Sequence, residues 1–185
     1  METMNENTKF AAVGWPLTLA AAAILGSLAL ACMMPFVALA TLAAVTMSRA
    51  QAVITVAGIW AVNQLMGFGM FGYPLNAYAL GWGAALGAAS MAALVVARSF
   101  AGIAPRALPT PMRIAAAFGL AFVSYEVFLF GFALVAGGTE TFTAAIVGQI
   151  LANDALWLVG LGLLYTVLQR TAPNLFGPAL ALRPR

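Results

Sequence analysis

The chain has 185 residues, 64% of them hydrophobic and 7% charged, with eight Lys or Arg, five Asp or Glu and no histidine. A soluble domain carries roughly 25% charged residues, so this inventory cannot cover a water-facing surface. Its long, nearly uncharged runs are those of membrane-spanning helices.

The net charge of +3 comes from basic residues too scattered to form a nucleic-acid patch; they read as topology signals instead. Without histidine there is no Ser-His pair, no histidine zinc site and no haem histidine ligand. A single cysteine, Cys32, excludes an internal disulfide. No glycine-rich phosphate loop occurs, and the loops are too short for a nucleotide-binding domain. An enzyme is not expected, nor a resident cofactor or metal.

In chain order, a first span is predicted from Gly14 to Cys32 and a short second one from Phe36 to Met47, separated by Pro35. Ala29-Leu-Ala-Cys32 partly resembles a lipoprotein cleavage box, but Met33-Met-Pro-Phe36 runs on into apolar sequence, which argues against cleavage. Ser48-Arg-Ala-Gln51 leads into a third span, Ala52 to Met70, and Tyr73-Pro-Leu-Asn76 reads as a turn. A fourth span is expected from Ala77 to Ala97. The longest loop is then Arg98 to Pro111, with three prolines. The fifth span is Met112 to Ala136, Gly137-Gly-Thr-Glu140 turns the chain, and the sixth is Phe142 to Leu168. Residues Arg170 to Arg185, again with three prolines, form an extended or interfacial tail.

The fold class is thus an all-α integral membrane protein. A six-helix bundle (14–169) is expected between a cytoplasmic N-terminal segment (1–13) and a cytoplasmic tail (170–185). The second helix is short of the ~20 residues of a full crossing, which leaves five spans plus a re-entrant piece as the alternative. With six spans and a cytoplasmic N-terminus, all eight basic residues fall on the cytoplasmic side, as the positive-inside tendency requires. A multi-pass protein of the inner (plasma) membrane is expected. Rows of small residues, Ala84/Ala88/Ala92, Ala85/Ala89/Ala93/Ala97 and Ala40/Ala44, offer close helix contacts.

The polar residues inside the spans carry the functional signal. In WAVNQLMGFGMFGYP, Trp60, Asn63, Gln64 and Gly67 share one helical face. Amides facing lipid would leave donors and acceptors unpaired, so this face points into the bundle. Gly67, Gly69 and Gly72 lie beside Tyr73-Pro74 and suggest an irregular outer lid. Gln149, Asn153 and Trp157 step by four along the sixth span with Asp154 beside them, and Tyr125 and Glu126 sit mid-way along the fifth. Intramembrane carboxylates are costly and usually mark function or a buried pair. Glu126 and Asp154 are therefore expected to be protonated, hydrogen-bonded to polar neighbours, or neutralised by a cation or ligand. The amides either glue helices together or orient a ligand in a pocket. Cys32, Met33 and Met34 offer soft sulfur or ordinary apolar filling.

With about 180 residues, six helices, cytoplasmic termini and no ATPase of its own, the plan resembles the S-components of energy-coupling factor vitamin transporters. Such proteins bind a vitamin or metal-related substrate near the outer face and dock with a separate energising ATPase/transmembrane module. Their alanine-xxx-alanine docking signal lies in the first helix; here that helix has Ala22-xxx-Gly26, and the strict pattern Ala40-xxx-Ala44 is in the second span. The resemblance implies transport of a small vitamin- or cofactor-related molecule. Trp60 and Trp157 would stack on it, Asn63, Gln64, Gln149 and Asn153 would orient it, and Tyr73 would belong to the lid. Tyr125 would complete the site, and Glu126 and Asp154 would favour a cationic or hydrogen-bond-donating substrate. A stand-alone proton- or ion-coupled permease using Glu126 or Asp154, and a non-transporting scaffold or assembly subunit, are the alternatives.

Overall fold

A computed structural model describes residues 2–29, 34–105 and 107–176; Cys32 and the end of the tail lie outside them. The described residues are helical, with no strand. The order is α1 (Glu2–Ala29), α2 (Phe36–Thr46), α3 (Arg49–Gly69), α4 (Ala77–Ile103), α5 (Thr110–Ala136), a single 3₁₀ turn (Thr139–Thr141), α6 (Ala144–Thr171) and α7 (Pro173–Phe176).

The helix starts are set locally. Ser48 and Gln51 form a capping box that begins α3, Asn76 accepts from Ala79 N–H at 2.9 Å to begin α4, and Thr143 accepts from Ile146 N–H at 3.2 Å to begin α6. Each side-chain oxygen satisfies one of the N–H groups that a helix leaves unpaired at its start.

Three boundaries differ most from expectation, the first being α1, which is helical from Glu2, well before the expected start of the first span at Gly14. α4 continues to Ile103, so the loop that was expected to start at Arg98 is short; Pro105 is the first residue in that stretch unable to continue a helix. The tail is not extended at its start, because Pro173–Phe176 forms a helical turn that packs against α1.

Four helices, α3 to α6, are long and apolar enough to cross a membrane, which makes this a multi-pass helical membrane protein. α2 is different. At 11 residues it is about 16 Å long, roughly half of a ~30 Å hydrocarbon core. It is also the most enclosed element, with every residue from Phe36 to Ala44 buried among α3, α4, α5 and α6. Close approach to α4 rests on alanine: Ala89, Ala93 and Ala97 are fully buried on one side and Ala40 and Ala43 on the other. The parallel row Ala84/Ala88 faces outward. Of the two small rows noted on α4, one packs and one does not.

A short helix enclosed in an apolar bundle has no water for its end groups, and other helices supply the partners. At its start Pro35 offers no side-chain cap. The Asp154 carboxylate of α6, 2% exposed, instead accepts from Ala38 N–H at 2.8 Å, with the Val37 N–H alongside. At its end, Arg98 of α4 donates from Nη1 to the carbonyls of Ala44 (3.3 Å) and Met47 (3.1 Å). Trp15 of α1 adds a bond from Nε1 to Thr46 Oγ1 at 2.9 Å. The acid is at the positive end of the helix dipole and the base at the negative end. Replacing Arg98 with alanine is expected to cost about 1–2 kcal/mol, read as a lower melting temperature in detergent, with lysine recovering only part of it.

Thr41, in the middle of α2, is fully buried and its hydroxyl has no hydrogen-bond partner. Thr41→Val removes an unsatisfied oxygen at nearly constant shape. Its melting temperature should equal or exceed that of the wild type; a clear fall would mean that the hydroxyl has a partner.

α3 to α6 alternate in direction, so Arg49, Arg98, Arg113 and Arg170 all stand at one end of the bundle. Arg113 there donates to the Ala101 carbonyl at 3.2 Å.

Candidate ligand-binding cavity

The shortness of α2 creates the cavity. Asp154 marks the level at which α2 begins, and α6 starts ten residues earlier, at Ala144. At 1.5 Å per residue about 15 Å of the surrounding helices rises past the beginning of α2. That space is a cavity of about 710 Å³, at the end away from the four arginines. Met34 and Phe36 form its floor and α3, α4, α5 and α6 its walls; Phe71–Pro74 and the Gly138–Thr141 turn border its mouth. Small-molecule sites occupy roughly 300–1,000 Å³.

Five of the residues singled out in the sequence line this cavity: Asn63, Gln64, Tyr73, Tyr125 and Asn153. Gln64 Nε2 donates to Asn63 Oδ1 at 3.1 Å, which holds the amide pair together at the wall. Gln64 Oε1 lies so close over Gly83 of α4 that a Cβ added there would displace the Gln64 side chain. Tyr73 is brought in by the end of α3. Phe71 N–H donates to Met66 O and Tyr73 N–H to Gly67 O, and Gly72 takes the left-handed φ of 69°. The chain thereby folds back and lays the Tyr73 ring on Gly67, where an added Cβ would come within 2.8 Å of it. The glycines of this stretch thus have distinct tasks, Gly72 to turn the chain and Gly67 to receive a ring.

The other five lie elsewhere. Trp60 sits between α3 and α4, its Nε1 donating to the Gly83 carbonyl at 2.7 Å and its ring against Gly87. Trp157 packs on Gly26 of α1 and, with Asn153, lines a separate groove of about 270 Å³ along α6. Asp154 caps α2. Gln149 is exposed on the outer side of α6. Glu126 is half-buried beside the cavity wall without lining it, and its Oε1 is enclosed with no hydrogen-bond partner.

The separation of Gln149, Asn153 and Trp157 has a geometric cause. At about 100° per residue, the inward face of α6 runs through Ile150, Asn153, Asp154, Trp157, Leu161 and Tyr165, while Gln149 stands about 40° outside Asn153 and is exposed. Trp157 shares that face one turn further along than Asn153, where it meets α1.

Sequence reasoning missed most of the aromatic lining: Phe36, Phe68, Phe71, Tyr78 and Trp82. Two signals were available. Phe68 follows Gln64 by four residues, and Tyr78 and Trp82 are an i, i+4 pair in the first turns after the Asn76 cap. Trp82 packs edge-on against Phe132, with centroids 5.1 Å apart, and at 6.4 Å from Tyr78. Its indole Nε1 is enclosed and has no hydrogen-bond partner.

No metal-binding cluster of three acidic, cysteine or histidine residues occurs among the described residues. Aromatic residues and the amides of Asn63, Gln64 and Asn153 are the main side chains of the lining. No protein-family model, curated protein or solved structure matches the chain.

Proposed function

We propose that this chain is a small-molecule-binding subunit of a membrane transporter, of the kind the S-component resemblance suggests. The observation that carries the reading is the cavity of about 710 Å³, which joins the intramembrane amides of α3 and α6 to a largely aromatic wall. In this reading the arginine end of the bundle faces the cytoplasm and the cavity takes its molecule from the opposite side. The Phe71–Pro74 segment closes over it, and α1 and α2 complete six membrane-inserted helices. Ala40 and Ala44 are buried beneath α4. An energising module would therefore dock on another surface than the strict alanine pair.

The test is native mass spectrometry of protein purified in mild detergent, wild type beside the Asn63→Ala/Gln64→Ala variant. The wild type is expected to carry one small molecule and the variant to lose it by at least tenfold, about 1.4 kcal/mol of binding, while remaining folded. A wild type that carries nothing, with a variant that merely melts earlier, would make the amide pair helix glue and favour the scaffold reading.

A second reading rests on Glu126. A carboxyl oxygen enclosed without a hydrogen-bond partner suits a proton- or ion-coupled permease. Uptake into proteoliposomes that depends on a pH gradient and disappears in Glu126→Gln would decide for it. Uptake unchanged by that substitution would decide against it.

A further inference from the structure

The hydrogen-bonding capacity that Asn63 and Gln64 leave unspent narrows the chemistry of what the cavity holds, on the premise that it is the binding site proposed above. Gln64 Nε2 donates to Asn63 Oδ1 at 3.1 Å. That bond uses the acceptor of one amide and a donor of the other, and leaves Asn63 Nδ2 as a donor and Gln64 Oε1 as an acceptor. Among the described residues neither atom has a hydrogen-bond partner, and neither is sealed by protein as the Trp82 indole nitrogen is. Both side chains line the cavity, and so does Gly83, over which Gln64 Oε1 lies. Turning both amides over reverses the order of the two groups and keeps one donor beside one acceptor.

A molecule that fills the cavity has to meet both groups, because an amide left unpaired in apolar surroundings is penalised. The matching edge is an acceptor beside a donor, the pattern by which a side-chain amide reads adenine with two parallel hydrogen bonds.

Charge adds a second constraint. No Lys or Arg is among the lining residues, and Glu140, the acid among them, stands exposed at the mouth. A carboxylate or phosphate carried inside would be a buried charge without a cation, which is strongly unfavourable. The lining rings Phe68, Tyr73, Tyr78 and Trp82 give apolar surface against which an aromatic ring packs.

We infer that the cavity holds an uncharged heteroaromatic compound whose edge carries an N–H beside a carbonyl oxygen, or an equivalent donor beside an acceptor. The ligand N–H donates to Gln64 Oε1, and Asn63 Nδ2 donates to the ligand carbonyl.

The experiment is isothermal titration calorimetry of the purified full-length protein in mild detergent, with three probes of similar size. Carbostyril is a two-ring lactam with an N–H beside its carbonyl. Its N-methyl derivative has the same rings and carbonyl but no N–H, and quinaldate is a two-ring carboxylate. Carbostyril should bind at least tenfold more tightly than its N-methyl derivative, the scale of one paired amide contact, and quinaldate should not bind. The preference for carbostyril should vanish in Asn63→Leu/Gln64→Leu. It should also fall in Gly83→Ala, which keeps both amides and displaces the Gln64 side chain; this variant decides if the double variant does not fold.

Equal affinity for the two lactams, or a preference that survives in both variants, overturns the assigned edge and leaves the cavity a binding site. Binding of quinaldate alone overturns the assigned charge, with the same consequence. Binding of none of the three overturns this inference. The binding-subunit reading is then judged separately, by the molecule that the wild type carries through purification.

Discussion

Asp154→Ala should lower the melting temperature of the detergent-purified protein by about 5–12 °C, corresponding to roughly 2–4 kcal/mol. The carboxylate is 2% exposed and accepts from Ala38 N–H at 2.8 Å, with the Val37 N–H beside it. These are the second and third helical residues of α2, the N–H groups that a capping side chain normally serves. Pro35 cannot serve them, and no solvent reaches them. Alanine leaves them unpaired in a dry interior, at the positive end of the helix dipole. Asp154→Asn keeps an acceptor oxygen, so it should cost no more than about 1 kcal/mol. The measurement is thermal unfolding followed by tryptophan fluorescence. If Asp154→Ala melted with the wild type and lost only a bound molecule, the acid would belong to ligand chemistry and not to the start of α2.

Gly87→Val should cost roughly 2–4 kcal/mol, and the cause is a single ring. A Cβ at Gly87 would come within 2.6 Å of Trp60 Cε2 and 2.7 Å of Nε1. The indole cannot slide away without breaking its 2.7 Å bond to the Gly83 carbonyl, so overpacking and a lost hydrogen bond add together. A smaller partner relieves the clash: in the Gly87→Val/Trp60→Leu double variant the two losses should sum to more than the measured loss, by at least about 1 kcal/mol. Gly119→Ala and Gly131→Ala are the controls. A Cβ at either meets nothing within 4 Å, so both should be neutral or slightly stabilising through helix propensity. Equal losses at Gly87 and Gly119 would show that α3 and α4 are not locked through Trp60.

These two expectations bear on how the site is to be read. Trp60 and Asp154 carry the strongest functional signal that an apolar sequence can show, an indole and an acid among alanines and leucines. In the structure one bolts two helices together and the other caps a third. The residues that line the cavity are quieter in sequence. Trp82 stands among glycines and alanines like any span residue.

The sequence by itself determined the membrane class, the helices and most of their ends, and the gathering of basic residues at one end. All of these are written in composition, in proline and glycine breaks, and in caps that reach three residues along the chain, as Ser48 does to Gln51 and Asn76 to Ala79. It also brought Asn63 and Gln64 forward correctly as inward-facing, because amides are not tolerated against lipid. What only the tertiary structure decided is which polar groups meet. Asp154 finds the start of α2 across 116 residues of chain and Arg98 finds its end across 51. No local pattern encodes such pairings. The cavity likewise is a difference in length between one short helix and its longer neighbours, seen only when all of them are packed side by side.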